Sequence, residues 1–336
     1  MLTGITYFFS ISVGGSTCEN HVILGKKMEY DLDRNFDLRV RMNAFDWLSE
    51  QVNIYGEVLP RKILVEGFIF ENDKIPLVSP QGIFKPKSLT IPLTISTTPS
   101  GPYRDTFDEH ERCLSYKYRG TDPNHRDNVG LRRAMELSLP LAYFHGVVPG
   151  KYLAVWPVYI IGDDLDNLTF RVAVDDQKTI YPIEPENSLK FSDLDSESRR
   201  TYITTITKQR LHQSSFRERV LLAYRRQCAI CKLRHQELLD AAHIIPDNEP
   251  DSKPIIPNGI ALCKLHHAAF DRFMIAIKPD YLIEVRRDIL NEKDGPMLIH
   301  ALQEIHNLKI QLPYSEEHWP SLEYLKQRYK KFRKVI

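Results

Sequence analysis

The sequence predicts an α+β chain of several domains, and three observations carry that prediction. The chain has 336 residues, enough for two or three domains. Helical periodicity near the N-terminus gives way to a long stretch of short β-type runs between Gly and Pro turns. The last third then concentrates cysteine and histidine at metal-ligand spacing.

Composition excludes some classes. Hydrophobic content is 42% and charged content 26%, as expected of a chain that packs ordinary cores. No apolar run approaches the ~18 residues of a membrane span. Residues 1–27 contain the apolar piece Ile5 to Val13, without a basic region before it or a small-residue cleavage site after it. They are therefore read as an N-terminal extension ahead of Met28, or an edge strand, and not as a signal peptide. The net charge of +1 does not announce a nucleic-acid binder, although Leu325 to Ile336 carries six Lys or Arg and no acid. An odd cysteine count with one Cys-x-x-Cys pair fits a reducing, cytoplasmic setting and a metal site better than a disulfide framework.

Within 28–87, Val40, Ala44, Trp47, Leu48 and Val52 share one side of a helix over Arg39–Asn53. Pro60 suits the start of a second helix reaching Gly67. Phe68-Ile69-Phe70, the turn Glu71-Asn72-Asp73 and Ile75 to Val78 then read as a hairpin. Two helices and a hairpin suggest a winged-helix-like unit. Over 88–176, β-type runs recur at Leu89–Ile95, Leu114–Tyr118, Leu141–His145, Tyr152–Ile161 and Leu168–Val174, with one helix at Asn128–Leu137. That texture predicts a curved sheet or barrel. Residues 177–205 are polar and read as a linker. Residues 206–310 open with a helix bearing Phe216, Val220, Leu221 and Tyr224 on one face, and 311–336 end in a basic helix.

The chemistry sits between Cys228 and Asp271. Cys228-x-x-Cys231 and Cys263-x-x-His266 make two ligand pairs about 30 residues apart, the spacing of a closed structural zinc site. Once zinc has its four ligands, His243, Asn258 and His267 remain. Phosphodiester hydrolysis needs a base to activate water and a cation to stabilise the phosphate. Histidine titrates near neutrality and suits the base. A second histidine can hold a divalent ion such as magnesium or manganese, and an amide can orient either.

This arrangement resembles the HNH (ββα-metal) endonuclease family. The resemblance covers about residues 205 to 280 and lies in the register Asn258, Cys263, His266, His267, with His266 where many members have a cysteine. It implies a zinc-braced ββα module with His243 as general base, Asn258 in the connecting loop and His267 on the catalytic metal. Ala242 stands where many members carry a metal-binding Asp or His, which leaves Asn258, Asp271 or Asp240 as candidate further ligands.

In the middle region, Gly101-Pro-Tyr103-Arg-Asp105, then Tyr116-Lys-Tyr118-Arg-Gly120 and Asn128, resemble the SRA (SET and RING-associated) domain, a PUA-like barrel. The resemblance implies a reader that flips a modified cytosine out of double-stranded DNA, with Tyr103 and Tyr118 stacking on the base and Asp105 accepting from its exocyclic amine. Thr106 and Arg119 depart from the family pattern and put the base preference in question. Aromatic residues in β-runs are also common core residues. The combined expectation is a prokaryotic, modification-dependent (type IV-like) restriction endonuclease. It would break both strands as a homodimer or by successive nicks. A nuclease reading sequence or phosphorothioate, or a non-catalytic DNA-binding protein, are the alternatives.

Overall fold

The computed structural model describes residues 17–99, 113–175, 196–293 and 295–335. Tyr103, Asp105, residues 1–16 and most of the expected linker lie outside them. Helix α1 (Thr17–Tyr55) buries Val40, Ala44 and Leu48, which recur every four residues. It ends at Gly56, whose φ of 78° suits a residue without Cβ. Strand β1 (Val58–Pro60), helix α2 (Arg61–Glu66) and the hairpin β2 (Phe68–Phe70) and β3 (Asp73–Ile75) follow. Then come β4 (Ile83–Phe84), β5 (Thr94–Thr97), β6 (Leu114–Lys117), helix α3 (Arg126–Glu136), β7 (Leu141–Val148), β8 (Lys151–Asp164) and β9 (Thr169–Val174).

Seven strands form one sheet in the order β4-β5-β7-β8-β9-β6, with β1 added alongside β8. Among the described residues only the β5–β7 pairing is parallel. Among the described residues the path runs from β4 to β6 without closing into a ring. Side chains alternate between its faces, and on β8 the alternation resets between Val155 and Val158, where the register with β7 shifts. On β7, Leu141, Tyr143 and Val147 enter one core with α3, while Ala142 and Phe144 enter another with α1, α2 and the hairpin.

The elements expected as a separate winged-helix-like unit are thus present but built onto the sheet. Strand β1 pairs with Leu153 to Lys151 of β8. The fully buried Arg41 of α1 donates to the carbonyls of Pro92 and Pro140, each at 2.9 Å. The expected strand Leu89–Ile95 shifts to Thr94–Thr97, since Pro92 lacks the N–H a ladder needs. The expected linker is shortened as well. Helix α4 (Ser196–Ala223) already begins inside 177–205.

Helix α4 spans two cores. Its Leu211 joins the core of the large sheet, while Phe216, Val220 and Leu221 join that of the C-terminal module. The module pairs β10 (Leu239–His243) with β11 (Gly259–Cys263), followed directly by α5 (Lys264–Asp271). A second hairpin, β12 (Ile275–Ile277) and β13 (Ile283–Val285), and a C-terminal helix (Leu322–Val335) complete it. Leu325 of that helix belongs to the module core.

Candidate active site and metal centre

The β10–β11–α5 order brings the predicted chemistry together. His243 ends β10 opposite Gly259, and His266 and His267 ride the first turn of α5. A Cβ on Gly259 would lie 2.4 Å from Val220 and 2.8 Å from Phe216. Glycine therefore lets α4 approach the β10–β11 pair. Through that gap Phe216 stacks on the His243 imidazole, with centroids 4.1 Å apart and planes 14° from parallel. Burial is the main force holding the His243 pKa below its usual value. His267 adds to it, while Asp247, Asp271 and Asp240 act against it. The result is a neutral imidazole able to accept a proton.

His267 lies between two carboxylates. Its Nδ1 is 3.6 Å from Asp240 and its Nε2 3.2 Å from Asp271. Those two acids raise its pKa to about 9, against an opposing effect of burial. Burial pushes the Asp240 carboxyl up, but bonds from His267 and Lys264 hold it below the ordinary carboxylate range. The two carboxylates thus flank opposite nitrogens of one imidazole and hold its orientation, and a divalent cation taking either nitrogen would displace a proton. His243, His267 and Asp271 line one pocket of about 520 Å³ together with Asp247, Glu249, Arg328 and Lys331.

Asn258 has a different position from the one its amide suggested. It is fully buried. Its Oδ1 accepts from the Ile245 amide at 2.9 Å, and its Nδ2 faces the Ile245 carbonyl, Ser252 Oγ and the Lys253 carbonyl at 3.1–3.2 Å. It staples the loop after His243 and does not line the pocket.

Cys228, Cys231, Cys263 and His266 converge so that their ligand atoms all lie within 4.8 Å of one another, a group that can hold a metal ion. His266 Nδ1 faces the sulfurs of Cys263 at 3.1 Å and Cys228 at 3.5 Å. Its Nε2–H donates to the Ala301 carbonyl at 2.8 Å, which leaves Nδ1 free to ligate.

Tyr118 does not offer a stacking face. Its ring is 1% exposed and packs on Phe170 with centroids 4.5 Å apart. Its hydroxyl is held by Asp163 and Arg132. Asn128 is buried beside it. It accepts from the Arg119 amide and donates to the carbonyls of Arg119 and Asp122, fixing the turn after β6.

Among the described residues no helix is long and apolar enough to cross a membrane. No curated protein is similar to the chain at a significant level. Among solved structures, one described as a modification dependent TagI restriction endonuclease shares 14% identity, covers 72% of this chain and 82% of that chain, and gives a TM-score of 0.27. Residues 228–278 match the HNH endonuclease family. The match takes in His243, Asn258, His267 and the whole Cys/His cluster, so residues 228–278 are an HNH endonuclease domain and the chain is a hydrolase of the endonuclease type.

Proposed function

We propose that the chain is a modification-dependent restriction endonuclease in which His243 is the general base, His267 holds the catalytic divalent cation and Asn258 fixes the loop between them. The observation that carries the catalytic part is the shared pocket of His243, His267 and Asp271. In this reading His243 takes a proton from a water whose oxygen attacks phosphorus, and the bond to the leaving sugar oxygen breaks. A divalent cation, once bound, would stabilise the charge that builds on the phosphate. Phe216 keeps the imidazole oriented, and Asp240 and Asp271 orient His267.

The Cys/His cluster is read as structural zinc. A tetrahedron with metal–sulfur bonds near 2.3 Å and metal–nitrogen bonds near 2.0–2.1 Å has edges of about 3.6–3.8 Å. The observed separations of 3.1, 3.5 and 3.9 Å bracket that size.

The sheet of residues 88–176 is read as an SRA-like reader of modified cytosine in double-stranded DNA, with Tyr103 and Asp105 as its base contacts. The motifs around Tyr103 and Gly120, and the buried Asn128 that pins the turn beyond β6, support it. Tyr118, packed in the core, would serve this reader as framework. One HNH module cuts one strand, so a double-strand break calls for a homodimer or two nicks. The test is cleavage, with added divalent metal, of matched plasmids that are unmodified, 5-methylcytosine-containing, 5-hydroxymethylcytosine-containing or phosphorothioated. Selective cutting of the cytosine-modified plasmids is expected, and equal cutting of all four would overturn the specificity.

A further inference from the structure

The ββα unit does not close its own pocket. The remaining wall comes from the C-terminal helix, which lies beyond the segment that matches the family. Two of its cations, Arg328 and Lys331, stand one turn apart on the same face.

Arg328 is 5% exposed. Its guanidinium donates to the carbonyl of Ile244 at 3.2 Å and to that of Phe270 at 2.8 Å. The first follows the general base in sequence, and the second precedes Asp271. The guanidinium lies 3.9 Å from the centre of the Phe270 ring and 3.4 Å from the Asp271 carboxylate. Its Nε–H has no partner among the described residues. A buried cation with an unmatched donor is costly, and this one sits in the catalytic wall. It also clamps the helix to both catalytic elements. Lys331 is thereby held at the rim, 45% exposed, where it pairs with Glu249.

The charge of the pocket gives this a purpose. Its carboxylates are Asp247, Glu249 and Asp271. Without Arg328 and Lys331 a phosphodiester would meet an acidic rim around two histidines. We infer that the C-terminal helix supplies the phosphate clamp of the nuclease, with Lys331 contacting a backbone phosphate of the bound strand and Arg328 as the positioning residue that sets the helix against His243 and Asp271. Phosphate replaces Glu249 as the partner of Lys331 when DNA enters. This rests on the nuclease reading above.

The test uses the full chain with a plasmid substrate and added divalent metal, together with DNA binding measured across a salt series. Lys331→Ala should raise KM about tenfold, the scale of one charge-assisted contact, and lower the slope of log affinity against log salt by about one. Lys331→Arg should restore both. Arg328→Lys keeps the charge but cannot span two carbonyls. It should lower kcat more than it raises KM, in a protein that stays folded at the assay temperature and keeps its zinc. A Lys331→Ala variant with wild-type KM and salt slope, in a preparation whose wild type cuts, overturns the clamp and leaves the nuclease reading standing. If the wild type does not cut with any divalent metal, the nuclease reading fails, and the salt slope alone then decides whether Lys331 meets phosphate.

Discussion

The Phe216 ring lies parallel to the His243 imidazole, 4.1 Å away, and reaches it only because residue 259 has no side chain. His243, the proposed general base, is therefore oriented by a helix that also packs on the large sheet. Loosening that stack should cost rate through misalignment of the base. Phe216→Leu keeps an apolar side chain but removes the flat partner. Single-turnover cleavage is expected to fall by about tenfold to a hundredfold, with DNA affinity unchanged. A full rate in a folded Phe216→Leu variant would show that the stack only fills space.

His243→Ala should abolish cleavage while zinc content and DNA binding stay at wild-type values, because the side chain is no ligand of the Cys/His cluster. His267→Ala should also abolish cleavage, and additionally weaken binding of the catalytic cation in a metal titration. Cutting by His243→Ala at near wild-type rate in saturating metal would remove its assignment as base.

Purified protein should carry one zinc per chain by elemental analysis. Cys228→Ser should release it and unfold the C-terminal module, since metal binding there is part of the folding free energy. His266→Ala should act in the same direction. Active protein free of zinc would end this assignment.

Asn258→Ala leaves the Ile245 amide without its acceptor and frees the 245–253 loop. A loss of about 1–3 kcal/mol is expected from the unmatched buried group, read in denaturant melts, with a partial loss of cleavage. An unchanged midpoint would mean that the staple contributes nothing.

His145 on β7 gives the large sheet a pH dependence. Burial first, then the charges of His212 and Arg219, hold its pKa down to about 4. In the unfolded chain it titrates near 6.5. Between those values the unfolded state holds more protons. Stability present above pH 6.5 is therefore lost as pH falls toward 4, by up to about 1.4 kcal/mol per pH unit. Thermal melts of His145→Gln should decline less steeply over this window than those of the wild type. Identical slopes would locate the effect elsewhere.

The legible parts of the site were those set by residue type at short spacing. Two Cys/His pairs and the Asn258-to-His267 register name their chemistry without any tertiary contact. Phe216 was visible only as an apolar helix residue, because nothing local tells which ring it meets across Gly259. Arg328 was read within a basic run, since its partners Ile244 and Phe270 lie far back in the chain. Tyr118 could have been placed. Leu114, Tyr116 and Tyr118 alternate with Ser115 and Lys117, and all three of the former are buried. In the fold, the Arg39–Asn53 part of α1, helix α2 and the hairpin were legible from periodicity, whereas the start of α1 at Thr17 was not. Their attachment to β8 was not, because strand pairing across about 90 residues leaves no mark on either segment.

That attachment bears on how the chain can be divided. Strand β1 covers the Lys151–Leu153 stretch of β8, and α1, α2 and the hairpin cover Ala154 and Trp156. A fragment beginning near Ser88 would keep the motifs of the large sheet, yet it would bare a row of unmatched backbone donors and acceptors beside an apolar face. Such an edge recruits strands from other chains. Expressed alone, the fragment should therefore self-associate, and DNA binding lost in it would reflect aggregation and not the removal of a contact.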